Sequence, residues 1–249
     1  MNERLVAVGV DGCRAGWVAA CLFREDATQR LRTELQLFAS VAELAAFRHG
    51  DAIVAIDVPI GLTDGDEGRE CDREARRRLG RRGSSVFAAP SRWMLAYATD
   101  YGALRAQVAQ QRAAGRQVKS LSAQAHGITP KIKEVDTWLS EHPDADAWLL
   151  ECHPELSFMA LNGGLPVAAP KKTAAGKLQR RRCLAAVFPD APSCVDNAPW
   201  PRSQVALDDL LDAYACLHTA LAVSRGEHTT LGGQLDATGR PMQMVTARP

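Results

Sequence analysis

Three apolar segments that each end in an acidic residue most constrain how this chain of 249 residues folds. The segments are 6–11, 52–57 and 147–151, and their last residues are Asp11, Asp57 and Glu151. Short continuous apolar runs are typical of buried strands, and above all of parallel ones. Ligands of an open α/β sheet collect beyond the carboxyl ends of its strands. The pattern therefore predicts an acidic site at one edge of a sheet.

The other elements predict an α/β domain over residues 1–249. The glycine-containing turn after Asp11 and the apolar run at 17–23 predict a β-hairpin. The remaining expected elements are a strand at 33–38, helices at 41–48 (with Ser40 as N-cap), 101–114, 132–141, 173–188 and 207–225, a loop at 189–201 and a terminal hairpin after Thr229. Residues 62–145 are mostly helix and loop, so we expect a helical insertion between the fourth and fifth strands.

Composition excludes several classes of protein. The chain is 46% hydrophobic and 24% charged, which is ordinary for a soluble globular protein. None of its apolar runs approaches the roughly 20 residues that span a membrane. The seven cysteines are scattered, odd in number and without a Cys-x-x-Cys pair, which argues against a zinc site or a disulfide framework. With no signal-peptide pattern, we expect a cytoplasmic protein.

A further group of acids opens the helix expected at 207–225. Asp209 and Asp212 are three residues apart and share one helix face. Asp209 also suits a helix N-terminus, whereas Asp212 lies beyond the first turn among apolar residues and needs a partner. Two carboxylates about 4 Å apart repel by about 4 kcal/mol at an effective dielectric of about 20. A cluster of oxygen ligands without thiols favours Mg²⁺ or Mn²⁺, and two such ions can activate water and stabilise a leaving phosphodiester oxygen.

Two basic segments could hold the phosphates of such a substrate. One has seven arginines between Arg69 and Arg82, and the other spans Lys171 to Arg182. Either could equally be a solvated helix face. The candidate phosphate contacts are Arg14, Arg81, Arg82, Lys131, His153, Lys171 and Lys172. His153 could also be a general base or a structural hydrogen-bonding group.

Seven motifs carry a resemblance to a bacterial family of unknown function, DUF429, whose members are labelled predicted nucleases. They are V-G-V-D-G-C-R-A-G-W-V (8–18), I-D-V-P-I-G-L (56–62), C-D-R-E-A-R-R-R-L-G (71–80), S-S-V-F (84–87), P-K-I-K-E-V-D (130–136), E-C-H-P-E-L-S-F (151–158) and D-D-L-L-D-A (208–213). The order of strands and acids also resembles the ribonuclease H-like superfamily. The D-x-x-D-A sequence at 209–213 is similar to that of RuvC-type Holliday-junction resolvases.

The resemblance implies a ribonuclease H-like fold, with a mixed five-stranded sheet flanked by helices, and a metal-dependent nuclease. Asp11 and Asp57 would be strand-end ligands of Mg²⁺ or Mn²⁺, Asp209 and Asp212 the helix pair, and Glu151 an accessory ligand. The resolvases have a glutamate where this chain has Asp57. The substrate would be nucleic acid, without a preference that the sequence defines between DNA, RNA, hybrid and branched forms. The oligomeric state stays open, a homodimer included.

Two other functions fit the same sequence pattern. In an ATP-handling phosphotransferase of the sugar-kinase and actin type, the turn at Asp11 and Gly12 would cradle phosphates. Such enzymes usually have two related halves, and this chain shows one. A non-catalytic adaptor for nucleic acid or protein is the other alternative.

Overall fold

The computed structural model describes residues 3–65 and 67–249. Its main sheet has the strand order β3-β2-β1-β4-β5. The strands are β1 (Glu3–Cys13), β2 (Gly16–Glu25), β3 (Leu31–Phe38), β4 (Ile53–Ile56) and β5 (Leu149–Glu151). β1, β2 and β3 are joined antiparallel, whereas β4 runs parallel to both β1 and β5. The predicted mixed five-stranded sheet is confirmed, and the arrangement is consistent with a ribonuclease H-like fold.

Helices surround this sheet and fill the long connection between β4 and β5. The helices are α1 (Val41–Phe47), α2 (Glu70–Leu79), α3 (Tyr101–Ala113), α4 (Ala123–Gly127), α5 (Thr129–Glu141), α6 (Pro154–Leu161), α7 (Ala174–Val187), α8 (Ala191–Asp196) and α9 (Leu207–Ser224). Short 3-10 helices span Gly80–Ser85, Arg92–Tyr97 and Pro143–Ala147. The predicted cap of α1 is confirmed, because the Ser40 side chain accepts a hydrogen bond from the Glu43 amide. None of the helices in the described residues combines the length and apolar character that a membrane crossing requires.

The proline-rich segment at 189–201 is not wholly a loop, as the sequence had predicted. It contains α8, whose Pro192 lies in the first helical turn, where a missing amide hydrogen leaves no helical bond unmade. Ala191 and Val195 of α8 are buried. Tertiary packing of these two side chains therefore supports a helix that the proline content disfavours.

Helix α9 packs across β1, β2 and β4, and a glycine makes this approach close. A Cβ atom on Gly9 would lie 1.8 Å from the backbone nitrogen of Leu217 and 2.2 Å from the carbonyl oxygen of Ala213. Any side chain at position 9 would therefore force α9 away from the sheet. Because α9 lies this close to the sheet, its second turn is near the ends of β1 and β4.

The chain ends in the hairpin of β6 (His228–Leu235) and β7 (Pro241–Ala247), which confirms the predicted terminal hairpin. It packs against α2, and Leu231 and Met244 bury their side chains together with Cys71 of that helix. At the hairpin turn, Asp236 accepts a hydrogen bond of 3.1 Å from the Leu62 amide. The hairpin thus braces the segment that follows β4.

Candidate active site

The register of β1 and β4 places Asp11 and Asp57 side by side. Val10 pairs with Ile56 in the parallel ladder, so the next residue of each strand is an aspartate at the same sheet edge. The Asp57 amide still donates to the Val10 carbonyl at 3.0 Å, which fixes the exit of β4 against β1. The Asp11 carboxylate accepts a hydrogen bond of 2.8 Å from the Gly12 amide.

Asp212 approaches the same edge from α9. It lies in the second turn of that helix, and its side chain is buried. Asp11, Asp57 and Asp212 all line one cleft of about 420 Å³. We call these three residues the aspartate group. The structure therefore brings together three acids that are as much as 201 positions apart in the sequence: two from the predicted strand ends and one from the predicted helix pair.

Burial and mutual repulsion govern the protonation of the aspartate group. Burial raises the pKa of Asp11 well above its usual range, and the charges of Asp57 and Asp212 raise it further. Burial also raises the pKa of Asp57. It raises that of Asp212 to about 6, although the charge of Lys171 opposes the rise. The ammonium nitrogen of Lys171 lies 3.0 Å from an Asp212 carboxylate oxygen. Within the aspartate group, Lys171 is thus paired with Asp212 alone.

The aspartate group is more open than a formed metal site. In the described part of the chain, it is Cys71, Asp72 and Glu151 whose ligand atoms all lie within 4.8 Å of one another. The aspartates do not form such a compact set there. Like charges repel one another, and Lys171 donates a hydrogen bond of 3.0 Å to Asp212.

Glu151 lies in a second set of acids, whose cation is an arginine. Arg69 is buried and donates to both oxygens of Glu151 at 2.6 Å and to Asp72 at 2.5 Å. The Ile60 amide donates to Glu151 at 2.7 Å. The close set that includes Cys71 could hold a metal ion by distance, but the guanidinium already neutralises its carboxylates. Burial also raises the pKa of the Cys71 thiol, which disfavours the thiolate that binds metals.

Glu155 joins the two basic segments that are distant in the sequence. Arg180 of α7 is buried and donates to both Glu155 oxygens at 2.7 and 2.9 Å. Arg82 donates to the same carboxylate at 2.7 Å. Arg82 and Lys171 both line the cleft. We call two acids and the arginines that bind them the arginine-bound group: Glu151 with Arg69, and Glu155 with Arg180.

Some predicted site residues have structural partners. Asp209 lies outside the cleft lining and accepts a hydrogen bond of 2.8 Å from the Ala206 amide, as a helix-capping acid does. His153 lines the cleft, but its Nδ1 accepts from the Glu155 amide and its Nε2 lies 3.4 Å from the Ser85 carbonyl.

The basic candidates divide by position. Lys131 lines the cleft, where its ammonium donates to the Gly16 carbonyl at 2.5 Å and lies 4.3 Å from the centre of the Trp17 ring. Arg14, Arg81 and Lys172 are exposed and do not line the cleft.

Sequence reasoning missed the buried roles of Arg69, Asp72 and Glu155. The spacing of Arg69 and Asp72 allows a pair on one helix face, but seven arginines in one segment give no sign of which one is buried. Phe87, an exposed aromatic residue in the cleft, was also missed. Only its place in the S-S-V-F motif (84–87) could have pointed to it.

Comparisons with known proteins agree with the motifs. The model of the family described as protein of unknown function (DUF429) matches residues 9–236. No curated protein and no solved structure matches the chain. The matched region contains all three members of the aspartate group and covers most of the chain. The chain therefore belongs to the DUF429 family.

Proposed function

We propose that this protein is a nuclease that depends on a divalent metal ion. The observation that carries the proposal is the aspartate group: three acids from two adjacent strand ends and one helix line one cleft, and Lys171 is paired with Asp212 among them. Burying like charges together is unfavourable unless a cation joins them or they take up protons. Such an arrangement, on a fold consistent with the ribonuclease H-like type, suits chemistry at a phosphodiester.

The donor set fits Mg²⁺ or Mn²⁺. Asp11, Asp57 and Asp212 offer carboxylate oxygens, which hard divalent cations prefer. When bound, such ions would activate water and stabilise the leaving oxygen. Glu151 stays outside our proposed ligand set, because hydrogen bonds already occupy both of its oxygens. It holds the segment after β4 through Ile60.

In the proposal, the basic side chains of the cleft bind the phosphates of the substrate. Lys171 is paired with Asp212 and lines the cleft, so its ammonium can also contact a substrate phosphate. Arg82 and Lys131 also line the cleft and can contact neighbouring phosphates. These contacts hold the strand across the aspartates and leave the chemical step to the aspartate group.

Cleavage assays with one pair of variants test the proposal. Single-stranded, duplex, hybrid and branched substrates are incubated with Mn²⁺ or with EDTA. We expect Mn²⁺-dependent cleavage of at least one substrate, and a fall of about 100-fold or more in Asp212→Asn, since a ligand is lost. Asp196→Asn is the control, because Asp196 is an exposed acid outside the cleft lining, where it pairs with Arg181. It should keep the wild-type rate.

Two results would contradict the proposal that the protein is a nuclease. One is equal cleavage by wild type and Asp212→Asn, which would mean that another site or a contaminant acts. The other is no cleavage of any substrate together with Mn²⁺-dependent ATP hydrolysis, which would favour the phosphotransferase. In the present structure the Gly12 amide is bonded to Asp11, so that amide is not directed at a phosphate.

A further inference from the structure

We infer that the cleft binds an unpaired nucleic-acid strand, with one base stacked on Phe87. This inference rests on the proposed nuclease function and specifies the form of its substrate. It combines three features of the cleft, namely an exposed aromatic ring, a rigid support for that ring and a basic rim.

The first feature is apolar surface that phosphodiester chemistry does not need. Phe87 and Ile128 are each 39% exposed, and both line the cleft. The other large hydrophobic side chains that are comparably exposed in the described residues lie outside it: Leu31, Leu165, Leu178, Val187 and Leu235. Phosphates and sugars are polar, whereas every base has an apolar face that stacks on aromatic rings. The ligand of this cleft therefore carries a flat apolar group as well as a phosphate.

The second feature is the support of Phe87. On one side, the Arg76 side chain donates to the carbonyl oxygen of Val86 at 3.0 Å. On the other side, the Ala89 amide donates to Asp72 at 3.4 Å. Val86 itself is buried. The backbone is thus held on both sides of Phe87 while the ring stays accessible, which is the form of a preorganised stacking platform.

The third feature is the basic rim. Arg82 and Lys171 line the cleft, and their sequence neighbours Arg81 and Lys172 are exposed. Neither neighbour has an ion-pair partner among residues 3–65 and 67–249. The shared bonds of Arg82 and Arg180 to Glu155 hold the two basic segments together. A polyanionic backbone fits this rim.

The size of the cleft favours an unpaired base over a duplex. Its volume of about 420 Å³ lies in the range of pockets for small molecules. In a duplex the base faces are stacked on one another, so Phe87 could reach none of them. An unpaired nucleotide offers both its base face and its phosphate.

Binding measurements separate the base from the backbone. Fluorescence anisotropy, in EDTA so that the strand stays intact, compares a short single strand with an abasic strand of equal length and with a duplex. Single strands of DNA and RNA are both used. For Phe87→Ala we expect a loss of about 5- to 100-fold in affinity for at least one base-bearing strand and no change for the abasic strand. Phe87→Trp should bind as wild type does.

Two controls make the result specific. Leu235→Ala removes an apolar side chain that is 63% exposed and lies outside the cleft, and it should leave every affinity unchanged. Arg81→Ala with Lys172→Ala should weaken base-bearing and abasic strands alike and reduce the dependence of affinity on salt. Thermal melting of each variant checks that the fold is intact.

The outcomes distinguish this inference from the proposed function. If Phe87→Ala binds base-bearing strands as wild type does, or if the duplex binds as tightly as the single strand, the inference is overturned even when the nuclease is active. If the binding pattern is as expected but no substrate is cleaved with Mn²⁺, the nuclease proposal fails on its own assay.

Discussion

Two sets of acids line the same cleft, and they differ in the cations beside them. In the arginine-bound group, Glu151 and Glu155 each receive two hydrogen bonds from a buried guanidinium. In the aspartate group, Asp212 is paired with a lysine that is 41% exposed. Asp11 and Asp57 form no ion pair with any described residue.

The difference teaches that burial of an acid does not by itself mark a functional site. The charge of a buried carboxylate is already neutralised when an arginine binds both of its oxygens. Removing either partner of such a pair therefore destabilises the fold. A carboxylate that lies beside other carboxylates is repelled by them, and a cation or a proton is required to offset that repulsion. The first arrangement can hold a loop in place, and the second can take up a cation from solution. Three predictions test this contrast.

The largest expected effect is the loss of Arg69. In Arg69→Met the free energy of unfolding should fall by about 3–5 kcal/mol, because Glu151 and Asp72 would stay buried without their cation. Urea denaturation measures the change. Lys171→Met is the matched control and should lower stability by less than about 1 kcal/mol, since that lysine is partly solvated. Equal losses in the two variants would remove the distinction between the groups.

A smaller effect is expected from metal binding. At 100 times its dissociation constant, Mn²⁺ should add about 2.7 kcal/mol to the stability of the wild type. Asp57→Asn should lose most of this gain and Glu151→Gln should keep it, as shown by melting each protein with and without Mn²⁺. The reverse pattern would place the metal with Cys71, Asp72 and Glu151, whose ligand atoms are already close together.

The smallest expected effect is on the pH dependence of stability in EDTA. The pKa of Asp212 rises from 3.8 to about 6 on folding, so the folded state holds its proton more tightly. Stability from this group is present at low pH and is lost as pH rises through about 6. Between pH 5 and pH 7.5 the wild type should therefore lose roughly 1 kcal/mol more than Asp212→Asn. A loss of equal size in both proteins would mean that Asp212 is not held in this environment.

Strands with acidic ends were the most predictable part of the molecule. Apolar runs such as 6–11 and 52–57 are buried whatever surrounds them, so their pattern is readable from the sequence alone. The cap at Ser40 is likewise a local interaction between neighbours in sequence. α8 was missed for the opposite reason, because its stability comes from packing of Ala191 and Val195 against distant parts of the chain.

The sequence alone predicts which acids lie at the sheet edge, since alternation, apolar runs and strand ends are local properties. It also determined the family, through motifs spread over most of the chain. Which acids meet cations depends on the tertiary structure. Gly9 admits α9 and so brings Asp212 to the aspartates, and Arg69 folds inward onto Glu151. Those outcomes depend on contacts between residues that are far apart in the sequence, and charge type and spacing along the chain do not encode them.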